Sequence, residues 1–124
     1  MTDAFFAASR SGDITALRDL LAENVMAYMD GGGIRNAALN PLFGFRRVAG
    51  LFMGVARKTG RALPPVLYRG LINGLPGIVT LEPDGIVQTT TIDIEDGRIV
   101  GVYIVRNPEK LGHLSGLAGS RRPS

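Results

Sequence analysis

Asp30 is followed by three glycines, Gly31, Gly32 and Gly33, so that one carboxylate stands directly before a run of bare backbone. A carboxylate in that position can serve as a general base at a pocket mouth, or accept hydrogen bonds from the glycine amides. Three adjacent glycines lose much conformational freedom when ordered. The run therefore marks either a tight turn out of the preceding apolar stretch or a backbone that another group approaches closely. His113, the sole histidine, lies beyond the last apolar run among glycines and serine and reads as solvent-exposed. Without a second histidine, a cysteine or carboxylates at ligand spacing, no metal site and no cofactor are expected.

Other polar groups fall on strand-like segments. Gln88 and Thr90 share one face with Ile86, Ile92 and Ile94, and Tyr28, Tyr68 and Tyr103 each carry a hydroxyl on an apolar strand. These five, Tyr28, Tyr68, Gln88, Thr90 and Tyr103, are the candidates for lining a mildly polar pocket. Asp93 and Glu95 share the opposite face with Thr89 and Thr91 and read as a solvated surface, because two like charges side by side do not make an acid–base pair. No histidine stands near any of these groups. Asp30 is thus the single candidate for a catalytic base, and a full catalytic set is missing.

The elements that must position these residues divide at Pro65. Before it, residues 2–25 read as two short helices. Phe5, Phe6 and Ala8 lie on the first, with Asp3 as a cap. Ser11-Gly12-Asp13 is a break, Asp13 caps the second helix, and Ile14, Leu17, Leu20 and Leu21 share one face of it. Residues 25–29 suit a strand, and Val48, Leu51, Phe52 and Val55 recur at helical spacing. Gly50 and Gly54 on that third helix suggest close packing against a neighbour. After Pro65 come four runs rich in β-branched and aromatic residues, separated by Asn73-Gly74, Pro83-Asp84-Gly85 and Asp96-Gly97. That spacing predicts an antiparallel meander. Asn107-Pro108 can open a short terminal helix. The expected class is α+β, a cone-shaped roll with helices packed on one face of a curved antiparallel sheet around a pocket.

At 124 residues the chain reads as one domain over 1–114 and a flexible tail over 115–124. Apolar residues make up 45% and charged residues 20%, as in a soluble globular protein. A net charge of +3 from scattered arginines gives no reason to expect direct nucleic-acid binding. The absence of cysteine, of a signal-peptide profile and of a long apolar run points to the cytoplasm and away from the membrane.

Two motifs carry a resemblance. The helix–strand order with "SGD" and the leucines after it resembles the SnoaL-like branch of the nuclear transport factor 2-like superfamily. "DGGG" at Asp30–Gly33 and "VRNPEKL" at Val105–Leu111 are similar to two signatures of a narrower group. That group is the C-terminal SnoaL-like domains of extracytoplasmic-function sigma factors of the SigJ type. "NPLFGFRRVAGLFMG", "INGLPGIV" and "DGRIVGVYIVRNP" extend the likeness over most of residues 3–114. The resemblance implies that Asp30, Gly31, Gly32, Gly33, Asn107, Pro108, Lys110 and Leu111 form a surface meeting sigma-factor domains or RNA polymerase. Glu109 keeps the charge of the family's aspartate, whereas Ile34 replaces a lysine, with Arg35 beside it. No stretch resembles the sigma regions themselves.

The resemblance thus implies a non-catalytic regulatory and ligand-binding domain that modulates transcription initiation through protein contacts. Its pocket is expected to hold a small neutral organic molecule, and a homodimer is expected through the outer sheet face around Thr89, Thr91 and Tyr103. The alternative is a stand-alone small enzyme of the polyketide-cyclase or isomerase type, with Asp30 or a pocket tyrosine transferring the proton.

Overall fold

The computed structural model describes residues 1–30 and 41–106, and Gly31–Gly33, His113 and the whole second motif from Asn107 lie outside them. The proposed tail and terminal helix lie outside them as well. Among the described residues the elements run α1 (Thr2–Ser11), α2 (Ile14–Leu20), β1 (Leu21–Asp30), β2 (Leu42–Phe43), α3 (Phe45–Lys58), β3 (Val66–Ile72), β4 (Leu75–Leu81), β5 (Val87–Glu95) and β6 (Arg98–Val105).

Helix α1 stops at Gly12, whose φ of 75° takes the left-handed turn that ends many helices, with its N–H bonded to Ala8 O. Asp13 starts α2, its Oδ1 accepting from Ala16 N at 3.1 Å. Asp3 does not cap α1. It sits inside the first turn and pairs with Arg69 of β3 at 2.6 Å. Leu21 leaves the helix and opens β1 instead, so the first strand begins four residues earlier than its alternation indicates. Leu17 and Leu21 are still both buried, because the helix end and the strand start face the same core.

The strands β3 to β6 form the expected meander, each antiparallel to the next. Its hairpin turns need positive φ, and Asn73, Gly74, Asp96 and Gly97 supply it. One connection is not visible in the meander pattern. Strand β1 pairs in parallel with β6, with Ala27 opposite Val102 and Tyr28 opposite Tyr103. The two-residue β2 then adds to the other side of β1, giving a six-stranded sheet in the order β2-β1-β6-β5-β4-β3. Three helices pack on one face of this curved, unclosed sheet, which is the expected α+β roll.

The core lies between the two layers. Phe5 and Ala8 of α1, Leu17 of α2, and Val48, Ala49 and Phe52 of α3 meet Val25, Ala27, Ile92, Val102 and Ile104 of the sheet. Phe5 and Phe52 cross edge to face with centroids 5.3 Å apart. A bulge on β6 opposite Asp93–Ile94 lets both Ile99 and Val102 reach this core, whereas Ile94, although paired with Ile99, is exposed. Gly50 and Gly54 correct another expectation: a Cβ at either position would meet nothing within 4 Å, so neither serves close packing.

Candidate functional site

Between α3 and the curved sheet lies a cavity of about 590 Å³. Met29 of β1, Leu51, Phe52 and Val55 of α3 and Ile104 of β6 form its apolar wall. Two of these have simple sequence causes. Leu51 and Val55 are four apart on one face of α3, and Met29 follows Val25 and Ala27 on the inward side of β1.

The polar part of the wall comes from Arg10, Glu82 and Gln88. Arg10 is on the last turn of α1, four residues after Phe6, and its guanidinium lies 5.1 Å above the Phe6 ring. It donates both terminal nitrogens to the Glu82 carboxylate, at 2.7 and 2.9 Å. Both side chains are only 6% exposed. Thr80 on β4 completes the group by donating its hydroxyl to Glu82 Oε2. This is a bidentate charged pair in a dry setting, the strong geometry for arginine and carboxylate. Glu82 is held by a β-turn, its carbonyl accepting from Gly85 N at 2.8 Å and its N–H donating to Ile86 O at 3.0 Å. Pro83 at the second turn position presets that bend.

At the rim, Arg106 donates to Asp84 Oδ2 at 2.6 Å, and the Ile86 amide donates to the other Asp84 oxygen at 3.1 Å. The Arg106 hydrogen bond is the main reason the Asp84 carboxyl lies below its ordinary pKa, with burial opposing it slightly. The backbone N–H of Arg106 also donates to Asp30 O at 2.8 Å, which ties the end of β6 to the end of β1. Lys58, exposed at the end of α3, is with Arg106 a second cation at the mouth.

Of the residues singled out in the sequence, Gln88 lines the cavity. Thr90 faces the same side, in register with Ile104, but is buried behind the wall. The three tyrosines do not line it. Strand alternation turns Tyr28 away from Ala27 and Met29, and Tyr103 away from Val102 and Ile104. Tyr68 points opposite to Arg69, which reaches α1. All three stand on the outer face, where Tyr28 is 38% and Tyr68 49% exposed. Thr89 and Thr91 share that outer face, yet both are buried by their neighbours on it. Asp30 is half-buried at the end of β1 and is not part of the cavity wall. The described residues contain no group of three or more histidine, cysteine or carboxylate side chains placed to hold a metal.

Sequence reasoning missed Arg10 and Glu82. A signal existed for the first, since Arg10 repeats the helical spacing of Phe6 and so falls on the apolar face of α1. An arginine on such a face needs a buried acceptor, and Glu82 directly follows an apolar strand.

No protein-family model and no curated protein matches the chain. Solved structures do. The extracytoplasmic function sigma factor SigJ of Mycobacterium tuberculosis superposes with a TM-score of 0.70 at 24% identity, over 88% of this chain but 41% of that one. A SnoaL-like protein of unknown function from Burkholderia thailandensis gives 0.66 at 13% identity, over 84% of this chain and 88% of that one. IdmH from Streptomyces antibioticus, a provisionally assigned polyketide cyclase, gives 0.62 at 18% identity, over 93% and 94%. The chain has the SnoaL-like fold. This SnoaL-like chain spans less than half of the sigma factor it resembles, and nearly all of the two small proteins.

Proposed function

We propose that this chain is a ligand-binding regulatory domain of the kind carried by extracytoplasmic-function sigma factors, acting on transcription initiation through protein contacts. One observation carries the ligand-binding half. The cavity's buried charges, Arg10 and Glu82, are spent on each other, and beside them stand an apolar run and Gln88, with Lys58, Thr59, Asp84 and Arg106 completing the lining. Such a site is built to hold an organic molecule rather than to move a proton through a free base.

The regulatory half rests on the likeness to SigJ and on the two sequence motifs, Asp30–Gly33 and Asn107–Leu111. In this reading residues 1–114 are one cytoplasmic domain, and the motifs meet sigma-factor domains or RNA polymerase. Asp30 and Arg106, joined through the backbone, bring the ends of β1 and β6 together, so the segments that follow both strands leave from the same edge. Lys110→Ala and Gly32→Val are expected to weaken capture of sigma-factor domains in a pull-down while leaving the melting temperature nearly unchanged. Wild-type capture by both variants removes the interface.

A second reading, a small cyclase or isomerase, draws on the end-to-end match to IdmH. In that reading the carboxylate inside the cavity is Glu82, not Asp30, and it must first leave Arg10 to accept a proton.

A further inference from the structure

We propose that Gln88 is the specificity-determining group of the cavity, and that its ligand is an uncharged, largely apolar molecule carrying one amide- or carbonyl-type group. The proposal rests on the ligand-binding reading above and names the chemistry that reading requires.

Gln88 stands on β5 with its backbone locked between β4 and β6, and the residue is only 8% exposed. Its side-chain amide makes no hydrogen bond to any described residue, although its carbonyl oxygen on the backbone accepts from Thr80 Oγ1 at 3.5 Å. Every fully buried side-chain nitrogen or oxygen of the described residues has a partner. The Gln88 amide therefore faces the open cavity, the space that its wall position gives it. An amide facing the cavity can exchange solvent for a ligand group that bonds it, and that exchange favours a ligand with a matching donor or acceptor over one without. Arg10, Glu82 and Thr80 offer no such opening, since each already bonds another member of the trio. A ligand charge placed against the apolar wall, away from Lys58 and Arg106 at the mouth, would have to break the bidentate pair or lie buried without a counter-ion, and both are costly. The apolar run of Met29, Leu51, Val55 and Ile104 supplies the rest of the contact.

Three probes of one shape separate these terms: 2-naphthamide, its anionic counterpart 2-naphthoate, and the hydrocarbon 2-isopropylnaphthalene. Titration calorimetry with the full chain is expected to show the amide bound about tenfold more tightly than the hydrocarbon, the usual effect of one buried hydrogen bond. Naphthoate is expected to bind more weakly than the amide. Gln88→Leu should abolish the preference for the amide while keeping affinity for the hydrocarbon. Gln88→Met, an unbranched substitute, should do the same if the leucine variant folds poorly, as read by its melting temperature. Equal binding of amide and hydrocarbon by the wild type, or a preference that survives both variants, overturns the role of Gln88 and leaves the cavity a binding site. Tighter binding of naphthoate overturns the exclusion of charge and makes Lys58 the selecting group. Failure of all three to bind at their solubility limits overturns the inference and the ligand-binding reading together, whereas the sigma-domain pull-down reads the partner contact independently.

Discussion

Among the described residues Arg10 and Glu82 form their ion pair with each other, so removing one leaves the other buried without its counter-charge. Glu82→Ala should cost about 3–5 kcal/mol, the range for breaking a buried pair, whereas Arg10→Met combined with Glu82→Leu should restore most of it. Urea unfolding of the single and double variants checks this, and a loss below about 1 kcal/mol for Glu82→Ala would mark the pair as solvated. The rim pair behaves differently because Asp84 is half exposed. Its folded pKa is lowered, so the Arg106 contact stabilises the fold above the ordinary value of 3.8 and is lost as pH falls through the lower folded value. Asp84→Asn is therefore expected to lower the melting temperature slightly at neutral pH, where the half-exposed pair is lost, and to leave it unchanged below the folded pKa, so that the acid limb flattens. At this scale the sequence was legible for Gln88 and not for the tyrosines. Alternation fixes which residues share a face, but not which face meets the helices, and a tyrosine is equally at home on either. Arg10 was missed because its partner is 72 residues away.

Turns and caps were the most legible elements, because they demand particular residue types. Asp13, Asn73-Gly74 and Asp96-Gly97 each stand where a side-chain acceptor or a positive φ is required. The border between α2 and β1 was not legible, since Leu21 fits both the helical period before it and the buried strand after it. Strand β2 has two residues and leaves no periodic trace. The glycines of α3 were misjudged for a physical reason: a spacing of four says they share a face, but that face has nothing against it. Gly50→Ala and Gly54→Ala should consequently each stabilise the protein by about 0.5–1 kcal/mol through helix propensity. Gly77 on β4 is the contrasting case. A Cβ there would lie 2.7 Å from Thr91 Cγ2 and 3.0 Å from the Thr90 carbonyl oxygen, which is backbone and cannot swing away. Gly77→Ala should destabilise by about 1–3 kcal/mol, the scale of overpacking. Thermal unfolding of the three variants tests both signs, and a stabilised Gly77→Ala would contradict the contact geometry.

For the whole molecule, the class and the meander were legible, because four β-rich runs joined by tight turns leave few other arrangements. The pairing of the first long strand with the last was not. A parallel contact between the first strand and the last depends on packing of distant segments and carries no local signature. The same pairing places Tyr28 beside Tyr103 on the outer face, with Tyr68 and Leu81 also exposed on that side. We propose this face as the self-association surface, with a concentration-dependent dimer in sedimentation velocity that Tyr28→Glu shifts toward monomer. A monomer at every concentration counts against it. The sheet order has one more consequence, for how the chain is made. Strand β1 has β6 as its link to the meander, and β6 also brings Ile99, Val102 and Ile104 to the core. On the ribosome, α1, α2, β1 and α3 emerge able to contact one another but without the meander's share of the core, and the hairpins of β3 to β5 follow without their β6 neighbour. The six-stranded sheet cannot be joined until Val105 has cleared the exit tunnel, and a pairing between segments so far apart in sequence is expected to form late. A translational pause just before Arg98 would hold apolar surface from both halves in the open, whereas a pause shortly after Val105 has emerged would let the domain close.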